Sequence, residues 1–425
     1  MSAPAVADPM AAEAAVHTAF HHHVNVLQNP ADCRTAPLYV YIPTGYTSGL
    51  GSQVRMIANS LLHAVTLNRT FIVDAATSVY IHPHRCPSRT YDCLFLPLSN
   101  CTLDDALADL PDSIRSTFTP ELSGQEKIAR LPRSDVPAGA EHPRVITSRT
   151  SCFKPSDSDL VALERLSLGW TPPAVWWHQH AVGLVARPSA RIEELADRLA
   201  MELGLVSDLD ASSAAVAVGA DGRQRRRRGY VGMHIRRGDK VSEARIHKTA
   251  SYARALIDAD AAADDDDGTK RDVLLASDDP DSYKELSSQM PSRYNVVRIP
   301  DDRFVIQPSK GRVVAAKMVE NLHRDAQRKE ERGMLPTQRW SVQSKWGDEG
   351  EMQIAQLLLL SRASTLVGTL TSNYLLLAYE MALRARHLRG EPPPTLIDLD
   401  GNVPYACSAK MAPPWGAAFG APELS

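Results

Sequence analysis

The chain has 425 residues and a formal net charge of −3, and this length is enough for two domains, each with its own hydrophobic core. A charge this close to zero argues against a general nucleic-acid-binding protein, whose surface would be strongly basic. No run of about 20 uninterrupted apolar residues occurs, so we expect no transmembrane helix. Residues 1–29 also lack the charged-then-apolar pattern of a signal peptide.

The first 35 residues are rich in alanine and histidine, and we expect them to form a poorly ordered segment. We interpret the run His21-His22-His23 as part of this tail and not as a metal site.

A first α/β domain is predicted over residues 36–207. It opens with a strand at 38–42, a glycine turn at 49–53, a helix at 54–67 and a second strand at 70–73. This is the order of a β-turn-α-β unit. Trp176 and Trp177 have the character of core residues. Pro188 is expected to divide the long helical stretch of 181–203 into two helices.

Residues 208–228 are predicted to be a linker, and we interpret the arginine run at 225–228 as solvated, because no aromatic residues alternate with it as in a nucleic-acid patch. A second α/β domain is predicted over 229–408 and a tail over 409–425. The acidic run at 264–267 lacks the glycine and the spaced ligands of a calcium loop, and we assign it no function.

Three strand-like runs of the second domain each end in polar residues. The polar segments that follow the runs at 229–233, 272–276 and 366–370 are His234-Ile235-Arg236-Arg237-Gly238-Asp239-Lys240, Ser277-Asp278-Asp279-Pro280 and Thr371-Ser372-Asn373. Open α/β sheets bind ligands at the carboxyl ends of their strands, so these segments predict a single site. Adjacent arginines alone would indicate a solvated face, but the repeated pattern favours a phosphate-rich nucleotide.

Together these motifs resemble the donor-binding half of the α-1,6-fucosyltransferases. The similar segments are His-x-Arg-Arg-x-Asp-Lys with Glu243 after it, Leu-Leu-Ala-Ser-Asp-Asp-Pro at 274–280, and the segment from Leu366 to Glu380. In the first half, Gly-Leu-Gly-Ser-Gln at 49–53 is similar to the family's Gly-x-Gly-Cys-Gln turn, and Pro-Ala-Val-Trp-Trp at 173–177 matches another family segment. The resemblance runs with gaps from about residue 33 to about residue 400.

The resemblance implies a GT-B-like glycosyltransferase with two Rossmann-type α/β halves, without the SH3-like domain of the animal members. The implied reaction is inverting transfer of L-fucose from GDP-β-L-fucose to the 6-hydroxyl of a GlcNAc, the innermost one of an N-glycan above all. The expected partners are GDP-fucose and an N-glycan or glycoprotein, with no nucleic acid, no cofactor and no divalent metal. The resemblance implies a location in the Golgi lumen. Formation of a homodimer is left as an open possibility.

Five residues are implied to take part in the chemistry. Glu243 would be the general base that takes the proton of the acceptor hydroxyl, with Lys240 relaying or steering that proton. Arg236 would bind the β-phosphate and, with Arg237, neutralise the departing GDP, a task that suits the planar guanidinium. Asp239 would brace these cations.

A second set of residues is implied to hold the donor. His234 would contact the guanine or ribose side, Tyr80 would pack on the nucleotide, and Gln356 would stand at the position that reads guanine. The remaining residues would bind the phosphates, brace the cations and the loop, or form the glycine turn: Ser372, Asn373, Asp278, Asp279, Gly49 and Gly51.

The chain departs from the family at three places. Only Val241 and Ser242 separate the lysine from the glutamate, where the family commonly has three residues. Gln356 stands where an aspartate would accept hydrogen bonds from guanine, and a glutamine brings no charge. Tyr46 and its neighbours replace a lysine-containing approach to the glycine turn.

These departures leave two alternatives open. The nearest is a fucosyltransferase with another acceptor, such as a chito-oligosaccharide or a protein serine or threonine, because acceptor loops are the divergent part of such folds. The other is a catalytically silent scaffold that binds a GDP-sugar.

Six cysteines are present: Cys33, Cys86, Cys93, Cys101, Cys152 and Cys407. Their irregular spacing fits disulfides better than a zinc site, which would have paired Cys-x-x-Cys ligands, and the family resemblance also favours disulfides. Six reduced thiols in a cytosolic protein are the alternative.

Overall fold

The computed structural model describes residues 9–42, 49–74, 86, 91–108, 112–118, 145–148, 174–205, 216–218, 224–226, 229–237, 246–262, 270–279, 281–299 and 349–401. These residues form two compact units. The first holds the described residues up to Ala190 together with 349–351, and the second holds those from Arg191 to 299 and from Met352 onward. The division at Ala190 falls earlier than the predicted domain boundary at 207.

The first unit contains a parallel sheet of three described strands in the order β2-β1-β3, which are β1 (Leu38–Tyr41), β2 (Thr70–Val73) and β3 (Val145–Ser148). The central strand β1 is buried along its whole length, as expected of an apolar run in the middle of a parallel sheet. The described helices of this unit are α1 (Pro9–Gln28), α2 (Leu50–Thr66), α3 (Leu103–Leu107), α4 (Asp112–Arg115) and α5 (Ala174–Val185).

The N-terminal segment corrects a prediction, because residues 9–28 form helix α1 and not a poorly ordered tail. Val16, Phe20 and Val24 recur every four residues on this helix and are buried. The ring of Phe20 lies 5.2 Å from that of Trp177. Alanine favours helix, and the apolar stripe gives α1 a face to bury, so the compositional argument for disorder missed this periodicity.

The C-terminal end of α1 is joined to the sheet and to the segment after Pro97. The side-chain oxygen of Gln28 accepts a hydrogen bond from the backbone N–H of Phe71 at 2.9 Å, and its carbonyl accepts one from the Ser99 hydroxyl at 2.6 Å. Nearby, disulfides join Cys33 to Cys101 and Cys86 to Cys93. The remaining two cysteines, at 152 and 407, lie outside the described residues.

Two predictions around residue 180 are confirmed. Trp176 and Trp177 are both buried, at 3% and 2% exposure. The helical stretch is broken at Pro188, because α5 ends at Val185 and α6 (Ala190–Leu203) begins after it. The predicted linker, in contrast, contains an antiparallel pair that its composition did not indicate, β4 (Val216–Val218) and β5 (Gln224–Arg226).

The second unit is built on a parallel sheet of five described strands in the order β10-β9-β6-β7-β8. These are β6 (Val231–Ile235), β7 (Arg271–Ser277), β8 (Tyr294–Arg298), β9 (Thr365–Gly368) and β10 (Thr395–Asp398). The further described helices are α7 (Thr249–Ala262), α8 (Ser282–Gln289), α9 (Glu349–Ser361) and α10 (Asn373–His387). The predicted α/β class is confirmed, and none of the helices among the described residues has the length and apolar character needed to cross a bilayer.

The close approach of β9 to β6 requires a glycine. A Cβ added to Gly368 would lie 2.9 Å from the backbone oxygen of His234 and 2.6 Å from Cδ2 of Leu375. At Gly232 the nearest atoms, Cδ2 of Leu366 and of Leu360 at 2.9 and 3.0 Å, are the ends of flexible side chains. Only the contact at Gly368 involves backbone that cannot move without disturbing the sheet.

We therefore expect Gly368→Ala to lower the free energy of unfolding by about 1–3 kcal/mol, the cost of overpacking, and Gly232→Ala to cost less. Both substitutions remove the same conformational freedom from the unfolded chain. The difference between their changes in unfolding free energy therefore measures the steric cost of the added Cβ. Urea unfolding of the two variants measures it. Equal destabilisation, or a larger effect at Gly232, would contradict this account of the packing.

Candidate functional site

Parallel pairing brings the three predicted polar segments to one edge of the second unit's sheet. Strand β6 lies between β9 and β7, with His234 opposite Ala276 and Met233 opposite Val367. Because parallel strands end on the same side, the residues that follow β6, β7 and β9 lie at a common carboxyl edge, as predicted.

His234 is the penultimate residue of β6 and is 6% exposed. Burial first, and the charge of Arg236 second, lower the pKa of the His234 imidazole to about 3. The ring is therefore neutral at ordinary pH. Its Nδ1 atom is buried and has no hydrogen-bond partner among the described residues, which leaves one polar atom available to a ligand at the sheet edge.

Ser372 follows β9 and is separated from the last residue of that strand, Gly368, by Thr369-Leu370-Thr371. It is the N-cap residue of α10, it is 1% exposed, and its hydroxyl caps no backbone N–H of that helix. Within the described part of the chain, Ser372 Oγ has no hydrogen-bond partner. Asn373, the first residue of α10, is half-buried. A helix N-terminus with a buried hydroxyl beside it is a favourable environment for a phosphate group.

Arg237 is held by partners within the second unit, and its predicted role of neutralising the leaving group stays a prediction. Its Nη1 donates to Asp279 at 2.9 Å, and its Nη2 donates to Glu285 at 2.8 Å and to the hydroxyl of Thr249. Burial lowers the pKa of this guanidinium, but the hydrogen bonds and charges of Glu285 and Asp279 outweigh burial and raise it above its usual value. Two carboxylates therefore hold Arg237: Glu285 on α8 and Asp279 after β7.

Both predicted aspartates after β7 contact Arg237. Asp278 Oδ1 accepts the backbone N–H of Arg237 at 2.8 Å, and Asp279 Oδ2 accepts from its side chain. Asp279 Oδ2 also accepts from the hydroxyl of Ser282, the first residue of α8, at 3.0 Å. These bonds fasten the segment that follows β6 to the end of β7.

Gln356 lies on α9 and contacts the site through Tyr374. The Tyr374 hydroxyl donates to the carbonyl of Gln353 at 2.6 Å and lies 3.2 Å from Oε1 of Gln356. The Tyr374 ring lies 5.3 Å from the ring of His234. Tyr374 was not among the predicted site residues, although it directly follows Ser372-Asn373 in the resembling segment.

A second group of contacts, around Asp400, was not foreseen. Asp400 Oδ1 lies 2.9 Å from Nε2 of His247, and its Oδ2 accepts the hydroxyl of Thr371 at 2.7 Å. His247 immediately precedes α7, and Thr371 immediately precedes Ser372. Asp398 Oδ1 accepts the backbone N–H of Leu370 at 3.0 Å. Burial, ahead of the neighbouring Asp400 charge, raises the pKa of Asp398.

Two groups of predicted residues are placed elsewhere. Gly49 and Gly51 lie at the start of α2 in the first unit, where Gly49 has φ −61° and ψ 160°, a conformation open to any residue. Several predicted residues and departures from the family lie outside the described residues, and their roles stay predictions: Tyr46, Tyr80, Asp239, Lys240, Val241, Ser242 and Glu243.

No family model matches the chain. Among solved structures, the NodZ α-1,6-fucosyltransferase soaked with GDP-fucose matches with 14% identity and a TM-score of 0.38, covering 81% of this chain and 92% of that one. POFUT1 in complex with GDP matches with 11% identity and a TM-score of 0.39, covering 86% of this chain and 99% of that one. A mutant FUT1 of Arabidopsis thaliana in complex with GDP matches with 11% identity and a TM-score of 0.39, covering 85% of this chain and 72% of that one. Likeness this remote says nothing about the donor or acceptor of this chain.

The neutral His234 gives a prediction for stability against pH. Between its ordinary pKa of 6.5 and the lowered value of about 3, the unfolded chain binds a proton that the folded chain does not. The unfolding free energy contributed by this residue therefore falls as the pH drops below 6.5, by at most roughly 1.4 kcal/mol per pH unit. In His234→Gln this component is absent, so we expect a shallower fall from pH 6.5 to 4.5, measured by urea unfolding. Parallel curves for the two proteins would contradict the buried neutral imidazole.

Proposed function

We propose that this chain is an inverting fucosyltransferase that uses GDP-β-L-fucose and transfers fucose to the 6-hydroxyl of a GlcNAc, the innermost one of an N-glycan. One observation carries the proposal. Two buried polar atoms have no partners among the described residues: His234 Nδ1, near the carboxyl end of β6, and Ser372 Oγ, after the neighbouring parallel strand β9. Both belong to motifs that resemble the family's donor-binding segments.

The donor's phosphates suit the charge and the donors at this edge. Arg236 follows β6 directly, and its charge is near enough to depress the pKa of the adjacent imidazole. Ser372 Oγ and the first N–H groups of α10 provide further donors and a positive helix end. The neutral His234 ring can donate or accept one hydrogen bond on the nucleoside side. In this assignment Arg236, and not a divalent cation, balances the pyrophosphate.

The chemical step follows from these assignments. The acceptor O6 attacks the anomeric carbon of fucose and loses its proton to the Glu243 carboxylate, with Lys240 steering the proton. The bond between the anomeric carbon and the β-phosphate oxygen breaks, and its electron pair leaves with GDP. Attack opposite the leaving group converts the β-linked donor into an α-linked product. Arg236 stabilises the charge that grows on the β-phosphate, mainly in the transition state.

The contacts around Arg237 and His247 support the placement of the proposed base. Residues 238–245, which include Lys240 and Glu243, are flanked by these two side chains. On one side Arg237 is paired with Asp279 and Glu285, and on the other His247 contacts Asp400. Because Arg237 and His247 are held in place, the segment between them would lose less conformational entropy on adopting a catalytic arrangement.

We also propose that the chain functions in an oxidising compartment, the Golgi lumen in keeping with the family resemblance. The support is the pair of disulfides, Cys33–Cys101 and Cys86–Cys93, since such bonds persist in secretory compartments and are rare in the cytosol.

The first test concerns the donor. Arg236→Ala should weaken GDP binding at least tenfold, or by about 1.4 kcal/mol, because a charge-assisted contact to phosphate is lost, and it should abolish transfer. The matched control is Arg298→Ala, since Arg298 also ends a strand of this sheet but lies on the edge strand β8, with its side chain over the ring of Tyr283. Isothermal titration with GDP compares them. Unchanged affinity in Arg236→Ala, or an equal loss in Arg298→Ala, would overturn the assignment.

The second test concerns the base. Glu243→Gln keeps the size of the side chain but cannot take a proton, so turnover should fall by about 10²–10⁴-fold while GDP affinity stays the same. Titration with GDP and fluorescence detection of GDP release in the presence of an acceptor separate the two effects. A decrease of only a few-fold would mean that another residue is the base. Loss of GDP binding in this variant would place Glu243 in the donor site instead.

A further inference from the structure

Three histidines on two helices of the first unit form a cluster apart from the proposed donor site. His17 and His21 lie one turn apart on α1, and His180 lies on α5. The ring centroids are 4.2 Å apart for His17 and His21, 4.7 Å for His17 and His180, and 5.8 Å for His21 and His180. One nitrogen from each ring can be chosen such that all three lie within 4.8 Å of one another.

The surroundings of the cluster are apolar on one side. His180 is 6% exposed, while His17 and His21 are half-buried. The ring of Trp176 lies 3.9 Å from that of His180, and the ring of Phe20 lies 5.7 Å from that of His21. If these three side chains only filled space between the helices, apolar rings at positions 17, 21 and 180 would suffice. Three imidazoles in mutual contact offer in addition three nitrogen donors around one point.

We propose that His17, His21 and His180 bind a divalent transition-metal ion, with Zn²⁺ as the fitting member of the class. Histidines four residues apart present their rings on the same face of a helix, which is the spacing of many zinc ligands. An all-imidazole set without carboxylates selects Zn²⁺, Ni²⁺ or Cu²⁺ over Mg²⁺ and Ca²⁺. Three protein ligands leave a fourth tetrahedral position for water.

The observed spacing requires a small contraction on binding. Nitrogens bound to Zn²⁺ at about 2.1 Å in tetrahedral geometry lie roughly 3.4 Å apart. The three nitrogen atoms now lie within 4.8 Å of one another, and rotation of the imidazole side chains can bring them to the separation of about 3.4 Å that Zn²⁺ requires. Two of these rings are only half-buried, so such rotation does not require the core to repack.

The ion would tie the N-terminal helix to α5. Helix α1 already packs through Phe20 against Trp177, and its last residue is bonded to β2. A metal bridge between α1 and α5 adds a link at the middle of α1, beside the buried residues Val16, Phe20 and Val24. Binding that occurs only in the folded chain stabilises the fold, so the assigned role is structural and independent of sugar transfer.

The test uses the full chain, freed of metal by dialysis against EDTA, and titrates it with Zn²⁺ in competition with a chromogenic chelator. The expected result is one high-affinity Zn²⁺ per chain. Changes in outer-shell residues alone weaken metal sites 10–100-fold, so replacement of a direct ligand, in His17→Gln, should weaken binding by at least about 100-fold. The matched control replaces His22 and His23 together by Gln, which leaves the three proposed ligands in place and should leave the affinity unchanged.

Two further readouts keep the proposal testable if a variant is unstable. Co²⁺ bound to the wild-type chain should give the intense visible absorption of a four-coordinate site, and His17→Gln should lose it. Zn²⁺ should raise the melting temperature of the wild-type chain but not that of His17→Gln. The proposal is overturned if the wild-type chain binds no Zn²⁺, if His17→Gln binds as tightly as wild type, or if the His22/His23 variant loses the site.

Discussion

The parallel pairing of β6 with both β7 and β9 is the constraint on which the candidate site depends. It fixes three chain segments at one edge, although they are far apart in sequence, and it requires Gly368 so that β9 can approach the backbone of His234. Because β6 is central, the described residues after it can contact the ends of both neighbouring strands and the helices beside them. The carboxylates that hold Arg237 therefore lie after β7 and on α8, and the buried Ser372 hydroxyl lies after β9.

The adjacent charges of Arg236 and Arg237 have different surroundings. Arg237 is held between Asp279 and Glu285, so its charge is largely balanced within the fold. The charge of Arg236 instead contributes to keeping the neighbouring His234 neutral. A neutral ring, a buried hydroxyl and a helix N-terminus at one edge of the sheet are groups that suit an anionic ligand.

Sequence reasoning located the strands and the polar residues after them because both follow from local periodicity. The sequence does not distinguish the surroundings of Arg236 from those of Arg237, because the partners of Arg237 lie on other elements of the sheet unit. The contact of His247 with Asp400 joins residues 153 positions apart, and no local pattern indicates it. The composition of residues 9–28 favours a disordered tail, but their four-residue apolar spacing favours the helix that forms. The histidine cluster has no local signature, because His180 lies far along the chain from His17 and His21.

The most direct test of the central claim is mass spectrometry of acceptors incubated with GDP-fucose and the wild-type chain, with released GDP measured alongside. The acceptors are a GlcNAc-terminated N-glycopeptide, a chito-oligosaccharide and a serine- and threonine-containing peptide. The account predicts that one deoxyhexose is added to the innermost GlcNAc of the glycopeptide for each GDP released. Addition only to another acceptor would refute the N-glycan assignment. Absence of any product, with or without binding of GDP-fucose, would contradict fucosyl transfer itself.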